Sequence, residues 1–249
     1  MNKYLKFMFS IVTTLLLLLP VTQTVEAKAP SKTQFANDIK KSIRTAETKT
    51  SETIYRSEIE VGKHKPFSKI EPVLKKYYTS KYIKKWKTVY NKVGSNLYVL
   101  SEPSFPFQDH ESAYYNLKAV KVNYNSSFRV KSLTKTKATV EFDVPPVYSN
   151  GDNKDSYTAT YKLIKTKSNW LLDEMTWKRQ KASKFKKFVN SKNLSKIVLK
   201  QVDIKNSEVK SYNYYDGIYI VKIGQKGNPY GYYFENVSPY TGTIIPEDY

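Results

Sequence analysis

The spacing of hydrophobic residues predicts helices within residues 31–93. Apolar residues recur there every three or four positions, at Phe35, Ile39, Ile43, Ile70, Leu74, Tyr77, Ile83, Trp86, Tyr90 and Val93. This period is typical of amphipathic helices that lay one apolar stripe on a larger element. A later helix is expected to begin near Ser68, because Ser68 and Glu71 have the spacing of a capping box, and Thr79-Ser80 is expected to divide it.

The hydrophobic period changes to two between Leu97 and Lys178, which predicts strands. Apolar and polar residues alternate through residues 119–124, 138–144 and 157–163, and a last strand is expected at 170–177. Turn residues separate these segments at Asn125-Ser126, Thr136-Lys137, Asn150-Gly151-Asp152 and Lys167-Ser168-Asn169. The simplest topology is an antiparallel meander with helices on one face, so the fold class expected is α+β.

The C-terminal part divides into a basic stretch and a tyrosine-rich stretch. Residues 179–210 carry ten basic residues against two acidic ones and are interpreted as a connector, with a short helix around Phe185 and Phe188 and a strand-like segment at 197–204. Beyond them, strands are expected at residues 218–223, 232–237 and 243–245, separated by turns at Gly227-Asn228-Pro229 and Ser238-Pro239-Tyr240-Thr241-Gly242. This pattern predicts a small antiparallel β-rich domain.

The order of elements in residues 33–178 resembles the nuclear transport factor two-like cone fold. The resemblance rests on the N-terminal helices, on the tyrosine-rich Tyr77-Tyr78-Thr79-Ser80-Lys81-Tyr82 and on the closing strand Trp170-Leu171-Leu172-Asp173-Glu174-Met175, a form similar to secreted members from Gram-positive bacteria. It implies a curved sheet around a pocket. Some members of that family use the pocket for catalysis and many use it only for binding, so the fold alone implies no activity.

The end of the chain, residues 192–248, resembles the PepSY domain. The most specific part of the resemblance is the ending Thr241-Gly242-Thr243-Ile244-Ile245. PepSY-like modules imply modulation of a peptidase or an accessory role in the envelope. The domain organisation expected is therefore a signal peptide at 1–27, a cone-like α+β domain at 28–178, a basic linker at 179–192 and a PepSY-like domain at 193–249.

The first 27 residues have the pattern of a secretory signal peptide. Lys3 and Lys6 form the positive region, an apolar run follows from Phe7 to Leu19, and Val25-Glu26-Ala27 has the pattern of a cleavage site. The apolar run is shorter than the roughly 20 residues of a spanning helix, so a retained anchor is the weaker alternative. We expect a secreted, extracellular protein that associates with the cell wall.

The chain is strongly basic. Removing residues 1–27 takes away two lysines and one glutamate, which lowers the formal net charge from +20 to +19. Only four of the 42 basic residues are arginine, whereas readers of nucleic acid favour the bidentate guanidinium, so no specific nucleic-acid partner is expected. The partners expected are anionic cell-wall polymers or lipid headgroups, and an extracellular peptidase for the C-terminal domain. The alternative is that the lysines only solvate the surface.

Candidate catalytic residues are few. The chain has no cysteine, which excludes disulfides and thiolate chemistry, and it contains no glycine-rich phosphate loop, nucleophile elbow or His-Glu-x-x-His motif. Of the two histidines, His64 lies in a charged segment, and Asp109 with His110 forms a weak acid–base candidate. On an extended segment the two side chains would point to opposite faces, so a surface loop is favoured. Asp152-Asn153-Lys154-Asp155 is interpreted as a polar turn rather than a calcium loop, and no metal or cofactor is expected.

Aromatic residues supply the candidates for a binding pocket. Six of them could line the interior of a cone, and the alternative is that they form ordinary core: Tyr78, Tyr82, Trp86, Tyr90, Tyr115 and Trp177. The function expected is that of an exported, non-enzymatic, envelope-associated binding protein. One alternative is a modulator or inhibitor of an extracellular peptidase, and another is a cryptic enzyme that uses the cone pocket.

Overall fold

The computed structural model describes residues 32–59, 66–93, 97–100, 105–146 and 156–245 of the 249-residue chain. The signal peptide expected at 1–27, His64 and the polar turn at 152–155 lie outside these residues. The chain falls into two compact units, Met1–Phe35 and Ala36–Tyr249. The contacts and sites described below belong to the second unit. Among the described residues, no helix has the length and apolar character that spanning a bilayer requires.

Six α-helices are described. They are α1 (Lys32–Ile59), α2 (Phe67–Leu74), α3 (Ser80–Val89), α4 (Pro106–Ala113), α5 (Tyr115–Ala119) and α6 (Leu194–Leu199). The division predicted at Thr79 is confirmed, because the Thr79 hydroxyl accepts a hydrogen bond from the Tyr82 amide at 3.3 Å and caps α3. The predicted capping box is not formed, since α2 begins after Pro66 and has no side-chain cap.

The predicted antiparallel meander is present as a four-stranded sheet. A short hairpin, β1 (Tyr90–Val93) with β2 (Leu97–Leu100), precedes it. The sheet itself has the order β3-β4-β5-β6, formed by β3 (Phe128–Leu133), β4 (Lys137–Val144), β5 (Tyr157–Lys165) and β6 (Trp170–Arg179). Every second residue of β4 is buried, beginning at Ala138, as its alternating sequence predicts.

The prediction of a strand at residues 119–124 is wrong. α5 ends at Ala119, and Lys121 follows in the left-handed region with a φ of 60°. The Val122 amide donates to the Leu117 carbonyl at 2.8 Å, which is the bond that closes a Schellman-type helix end. The apolar alternation here therefore comes from residues packed around a helix terminus, and the first strand of the sheet lies further along the chain.

The C-terminal residues form a second four-stranded antiparallel sheet with the order β10-β9-β8-β7. Its strands are β7 (Ser207–Tyr215), β8 (Ile218–Gln225), β9 (Tyr232–Val237) and β10 (Ile244–Ile245). The three strands predicted after residue 211 are confirmed, whereas β7 was not predicted. The strand-like segment expected at 197–204 begins instead as helix α6, because Leu194, Ile197 and Val198 share one buried helical face. Helices and two antiparallel sheets make the fold α+β, as expected.

One cluster of buried side chains joins elements from both sides of the predicted domain boundary. Tyr114 and Leu117 lie in it together with Ile197 of α6 and with Val221, Ile223 and Val237 of the second sheet. Phe188 and Val189, from the predicted linker at 179–192, are also buried in this cluster. The short helix expected around Phe185 is only a 3₁₀ turn, Ala182–Lys184. The division at 178 and 193 stays a prediction.

Candidate functional site

A buried carboxylate lies in the middle of α1. The apolar stripe of this helix consists of residues that are at most 2% exposed, namely Ile39, Ile43, Ala46 and Ile54. Glu47 and Thr50 lie on the same stripe and are fully buried. A charged residue at this helical phase is the signal in the sequence from which the buried group could have been identified.

Glu47 holds the start of another helix. Its Oε1 accepts hydrogen bonds from the Tyr161 hydroxyl at 2.5 Å and from the Phe107 amide at 3.1 Å, and its Oε2 accepts one from the Gln108 amide at 2.8 Å. Both amides belong to the first turn of α4, where backbone N–H groups lack partners within the helix. Glu47 therefore acts as a cap supplied from a distant part of the sequence.

Burial dominates the electrostatics of this group. It raises the pKa of Glu47 to about 8, and the hydrogen bonds from Tyr161, Gln108 and Phe107 oppose the shift. Burial also raises the pKa of Tyr161 well above its usual value. Because both side chains are at most 1% exposed, a solute cannot contact them without rearrangement. The arrangement joins both β5 and the first turn of α4 to α1.

Four of the six aromatic pocket candidates are buried, and three of them, Tyr78, Tyr82 and Trp86, form a packed cluster, whereas Tyr90 contacts Phe67. Tyr78, Tyr82, Trp86 and Tyr90 are each at most 5% exposed. The Tyr78 ring lies edge-on to Tyr82 and Trp86, with centroids 5.1 and 5.7 Å apart, and its hydroxyl accepts a hydrogen bond from Thr50 at 3.3 Å. These four residues are core.

The other two pocket candidates lie elsewhere. Tyr115 is 68% exposed on α5. Trp177 is half-buried on β6, where its ring lies 5.9 Å from that of Tyr157 and 5.8 Å from the Arg179 guanidinium. The structure therefore does not bring the six residues together around one pocket.

The surface loop favoured for Asp109 and His110 is wrong, because both residues lie on α4 and His110 is only 3% exposed. The His110 Nδ1–H donates to the Asp143 carbonyl at 2.8 Å, and burial lowers the pKa of His110 to about 4. The Asp109 carboxylate accepts a hydrogen bond from the Tyr157 hydroxyl at 2.6 Å, and burial raises its pKa. Each side chain thus has its own structural partner.

A basic groove opens on the surface of the first sheet's helical layer. We call it the lysine groove, and it has a volume of about 410 Å³. Residues of α1, of the α2–α3 connection and of the turn between β5 and β6 line it: Asp38, Lys41, Ser42, Thr45, Lys76, Tyr77, Lys165, Ser168, Asn169 and Trp170. A small ligand or a short segment of a polymer fits a groove of this size.

The lysine groove carries a net positive charge, from three lysines and one aspartate. Lys41 and Lys76 are exposed, and within the described part of the chain neither has an ion-pair partner. The Lys165 ammonium lies 5.1 Å from the centre of the Trp170 ring, a cation–π contact. The ammonium groups of Lys41 and Lys76, without ion-pair partners among the described residues, favour the binding of an anion on this concave surface.

Trp170, which borders the lysine groove, has a buried indole N–H without an acceptor among the described residues. Trp170 is 3% exposed, and its buried Nε1 has no hydrogen-bond partner among the described residues. Two backbone hydrogen bonds of 2.9 Å lie beside it: the Leu172 amide donates to the Tyr77 carbonyl, and the Thr79 amide donates to the Leu172 carbonyl. They join the α2–α3 connection to β6, so two walls of the groove are fixed to each other.

Comparison with models of known protein families finds no match, and neither a curated protein nor a solved structure matches the chain. The two family resemblances therefore stay predictions.

The lysine groove was not predicted from the sequence. One partial signal is present, since Asp38, Lys41, Ser42 and Thr45 follow a helical spacing and form a polar stripe beside the buried one on α1. The turn at Lys167-Ser168-Asn169 was predicted, but nothing in its sequence indicates that it faces α1. Within the described residues, no group of three His, Asp or Glu side chains is placed to hold a metal ion.

Proposed function

We propose that this chain is an exported, non-enzymatic binding protein of the cell envelope that binds an anionic envelope polymer through the lysine groove. The observation that carries the proposal is that Lys41 and Lys76, which have no ion-pair partner among the described residues, lie beside Lys165 in one concave site. A formal net charge of +20 supports it, because a basic protein concentrates polyanions at its surface.

The interior contacts support binding without turnover. Glu47 and His110 have pKa values displaced by burial, which is a common property of catalytic groups. Their hydrogen bonds, however, run to the first turn of α4 and to a carbonyl of β4, and both side chains are buried. The cryptic-enzyme alternative predicts a turnover that His110→Ala abolishes in a folded protein, which a screen for hydrolase and isomerase activity would detect.

The finer fold description belongs to the same proposal, with residues 28–178 as a cone-like domain and 193–249 as a PepSY-like module. The β3–β6 meander supports the first part, since α4 packs on it with the Phe107 and Phe142 ring centroids 5.3 Å apart. The PepSY-like assignment is supported by the order of the C-terminal elements, which is α6, the β7–β8 hairpin, β9 and the short β10.

The direct test compares two double variants of equal charge. Lys41→Gln with Lys76→Gln removes two lysines of the groove, and Lys84→Gln with Lys87→Gln removes two exposed lysines of α3 outside it. Co-sedimentation with isolated cell walls in about 0.1 M salt should fall strongly for the groove variant and little for the control. Binding of the wild type should decline as added salt shortens the Debye length from about 10 Å toward 3 Å. Equal losses in both variants would place the attraction on the whole surface and exclude the groove as its site.

One observation favours the alternative of peptidase modulation. β7 is an edge strand of the second sheet, and its last residues are exposed, including Tyr212, Tyr214 and Tyr215. Exposed edge strands bind extended peptide segments by strand addition. Inhibition or activation in a panel of extracellular peptidases, lost when Ser211 or Asn213 is replaced by proline, would favour this function over polymer binding.

A further inference from the structure

The uncharged lining of the lysine groove indicates which class of anion it binds. Between the lysines, the groove is lined by three residues with hydroxyl side chains, Ser42, Thr45 and Ser168, and by Asn169. Hydroxyl and amide groups both donate and accept hydrogen bonds, so they suit a ligand that carries hydroxyls as well as charge. An anion without hydroxyls would leave most of these groups without a partner in the ligand.

The single acidic residue of the groove limits further which class of anion can bind there. A carboxylate accepts hydrogen bonds but repels other anions, so Asp38 disfavours a densely charged ligand such as polyphosphate. The same carboxylate can accept hydrogen bonds from ligand hydroxyls. Three lysines against one aspartate match a ligand whose negative charges are single and spaced apart. A phosphodiester carries one such charge, and lysine binds phosphate as a point charge without the paired geometry of arginine.

Trp170, at the border of the groove, supplies a second observation. The Trp170 indole N–H is buried without an acceptor among the described residues, although Trp170 borders the groove. Nε1 of Trp86, in the aromatic core, is also buried without a partner among the described residues, so a ligand oxygen reaches the Trp170 donor only if the lining of the groove shifts. Ligand oxygens of a phosphodiester or a polyol are acceptors of the kind that this donor lacks.

We propose that the lysine groove binds a phosphodiester of a small polyhydroxylated unit, of the glycerol phosphate type. The phosphate lies among Lys41, Lys76 and Lys165, and the hydroxyls contact Asp38, Thr45 and Asn169. This inference rests on the proposed function and names its ligand class. Two sources share this chemistry, a phosphodiester-linked polymer of the wall and the headgroup of a glycerol phospholipid.

The first experiment uses soluble probes. Glycerophosphoglycerol, a phosphodiester of two glycerols, and inorganic phosphate are titrated into the full chain by calorimetry and by tryptophan fluorescence. The diester should bind at least about tenfold more tightly than inorganic phosphate. Thr45→Val removes a hydroxyl at nearly constant volume and should weaken the diester about two- to tenfold, the range of one neutral hydrogen bond, without changing phosphate binding. Trp170→Phe should weaken binding of the diester by a similar factor and abolish the fluorescence change. Trp177→Phe, outside the groove, should leave both the binding and the fluorescence change intact.

The second experiment separates the two sources. The wild type and the Lys41→Gln/Lys76→Gln variant are co-sedimented with walls freed of lipid by detergent and with vesicles of phosphatidylglycerol or phosphatidylcholine. A loss confined to walls assigns the ligand to a wall polymer, and a loss confined to phosphatidylglycerol vesicles assigns it to the lipid; both support the phosphodiester class.

Two results would overturn this inference. Equal binding of the diester and of inorganic phosphate, with no effect of Thr45→Val, would leave a general anion site, so the proposed function would stand and the ligand class would fail. Wall binding that is unaffected by the lysine substitutions, together with no binding of either soluble probe, would reject both.

Discussion

The hydroxyl of Tyr161 donates a hydrogen bond of 2.5 Å to Oε1 of Glu47, although the two residues are 114 positions apart in the sequence. This contact joins α1 directly to β5, and the same side chain also holds the first turn of α4, because it accepts the Phe107 and Gln108 amides. A buried carboxylate that loses one of its donors has no water to replace it.

Replacing Tyr161 by phenylalanine should therefore lower the free energy of unfolding by about 1–3 kcal/mol. Urea denaturation followed by tryptophan fluorescence measures the change. Tyr157→Phe is the matched control, since it removes an equivalent bond to Asp109, whose carboxylate is less buried than that of Glu47. We expect the control to lose less than about 1 kcal/mol. Equal losses would mean that burial of the Glu47 carboxylate does not set the size of the effect.

Glu47 should make the protein less stable at alkaline pH. Its pKa is raised from 4.5 to about 8 on folding, so between these pH values the folded chain binds more protons than the unfolded chain. The free energy of unfolding then falls as pH rises through this window. Glu47→Gln removes the titration, and urea midpoints measured from pH 5 to 8 should vary less in this variant than in the wild type. An unchanged slope would reject the raised pKa.

His110 should make the protein less stable at acidic pH. Burial lowers the pKa of His110 from 6.5 to about 4, so the folded chain binds fewer protons between these values and loses stability as pH falls through them. His110→Asn keeps a donor near the Asp143 carbonyl but does not titrate. Thermal unfolding from pH 6.5 to 4 should show a smaller decline in this variant. The same decline in both proteins would assign acid sensitivity to other groups.

The cluster around Tyr114 should make the two sheets unfold together, because Tyr114 also contacts His110, and His110 contacts Phe142 of the first sheet. Phe188 lies in the predicted linker, its ring centroid is 5.5 Å from that of Tyr114, and both belong to the cluster that includes Val221. Phe188→Ala should cost about 3–5 kcal/mol. Hydrogen exchange should show the amides of Val140 and Val221, one in each sheet, losing protection in parallel. Loss at Val221 alone, with two separate unfolding transitions, would instead confirm the domain division at 178 and 193.

Gly242 should tolerate substitution less well than Gly227. Gly242 and Gly227 both have positive φ, 71° and 78°, but a Cβ at Gly242 would lie 2.6 Å from a methyl of Ile197, whereas one at Gly227 would have no neighbour within 4 Å. Gly227→Ala should cost about 1–2 kcal/mol from the backbone alone. Gly242→Ala should cost about 1–3 kcal/mol more, because the core is already filled. Equal losses, measured by urea denaturation, would show that Ile197 moves aside freely.

Residues 138–144 and 157–163 were predicted correctly because these strands are buried on one side, so burial and sequence alternate together. At Val120 and Val122 the same alternation comes from a helix terminus, and local spacing cannot distinguish a helix terminus from a half-buried strand. β7 was missed since most of its residues are exposed and show no buried period.

The candidate site was less predictable than the fold. Glu47 could have been identified from its phase on α1, but its partner Tyr161 could not, because their contact depends on the packing of α1 against β5. The lysine groove is formed by three segments that are distant in sequence. Nothing in the sequence around Lys41, Lys76 or Lys165 distinguishes them from the other lysines of the chain.

The hydrogen bonds between Leu172 and the backbone of Tyr77 and Thr79 have a kinetic consequence. Since they fix β6 to the α2–α3 connection, the conformational entropy of aligning these two walls is lost during folding and not during binding. A ligand then meets a preorganised site, so its association rate should follow diffusion and charge attraction without a slow closing step. The time for which the ligand stays bound is set by the contacts within the groove.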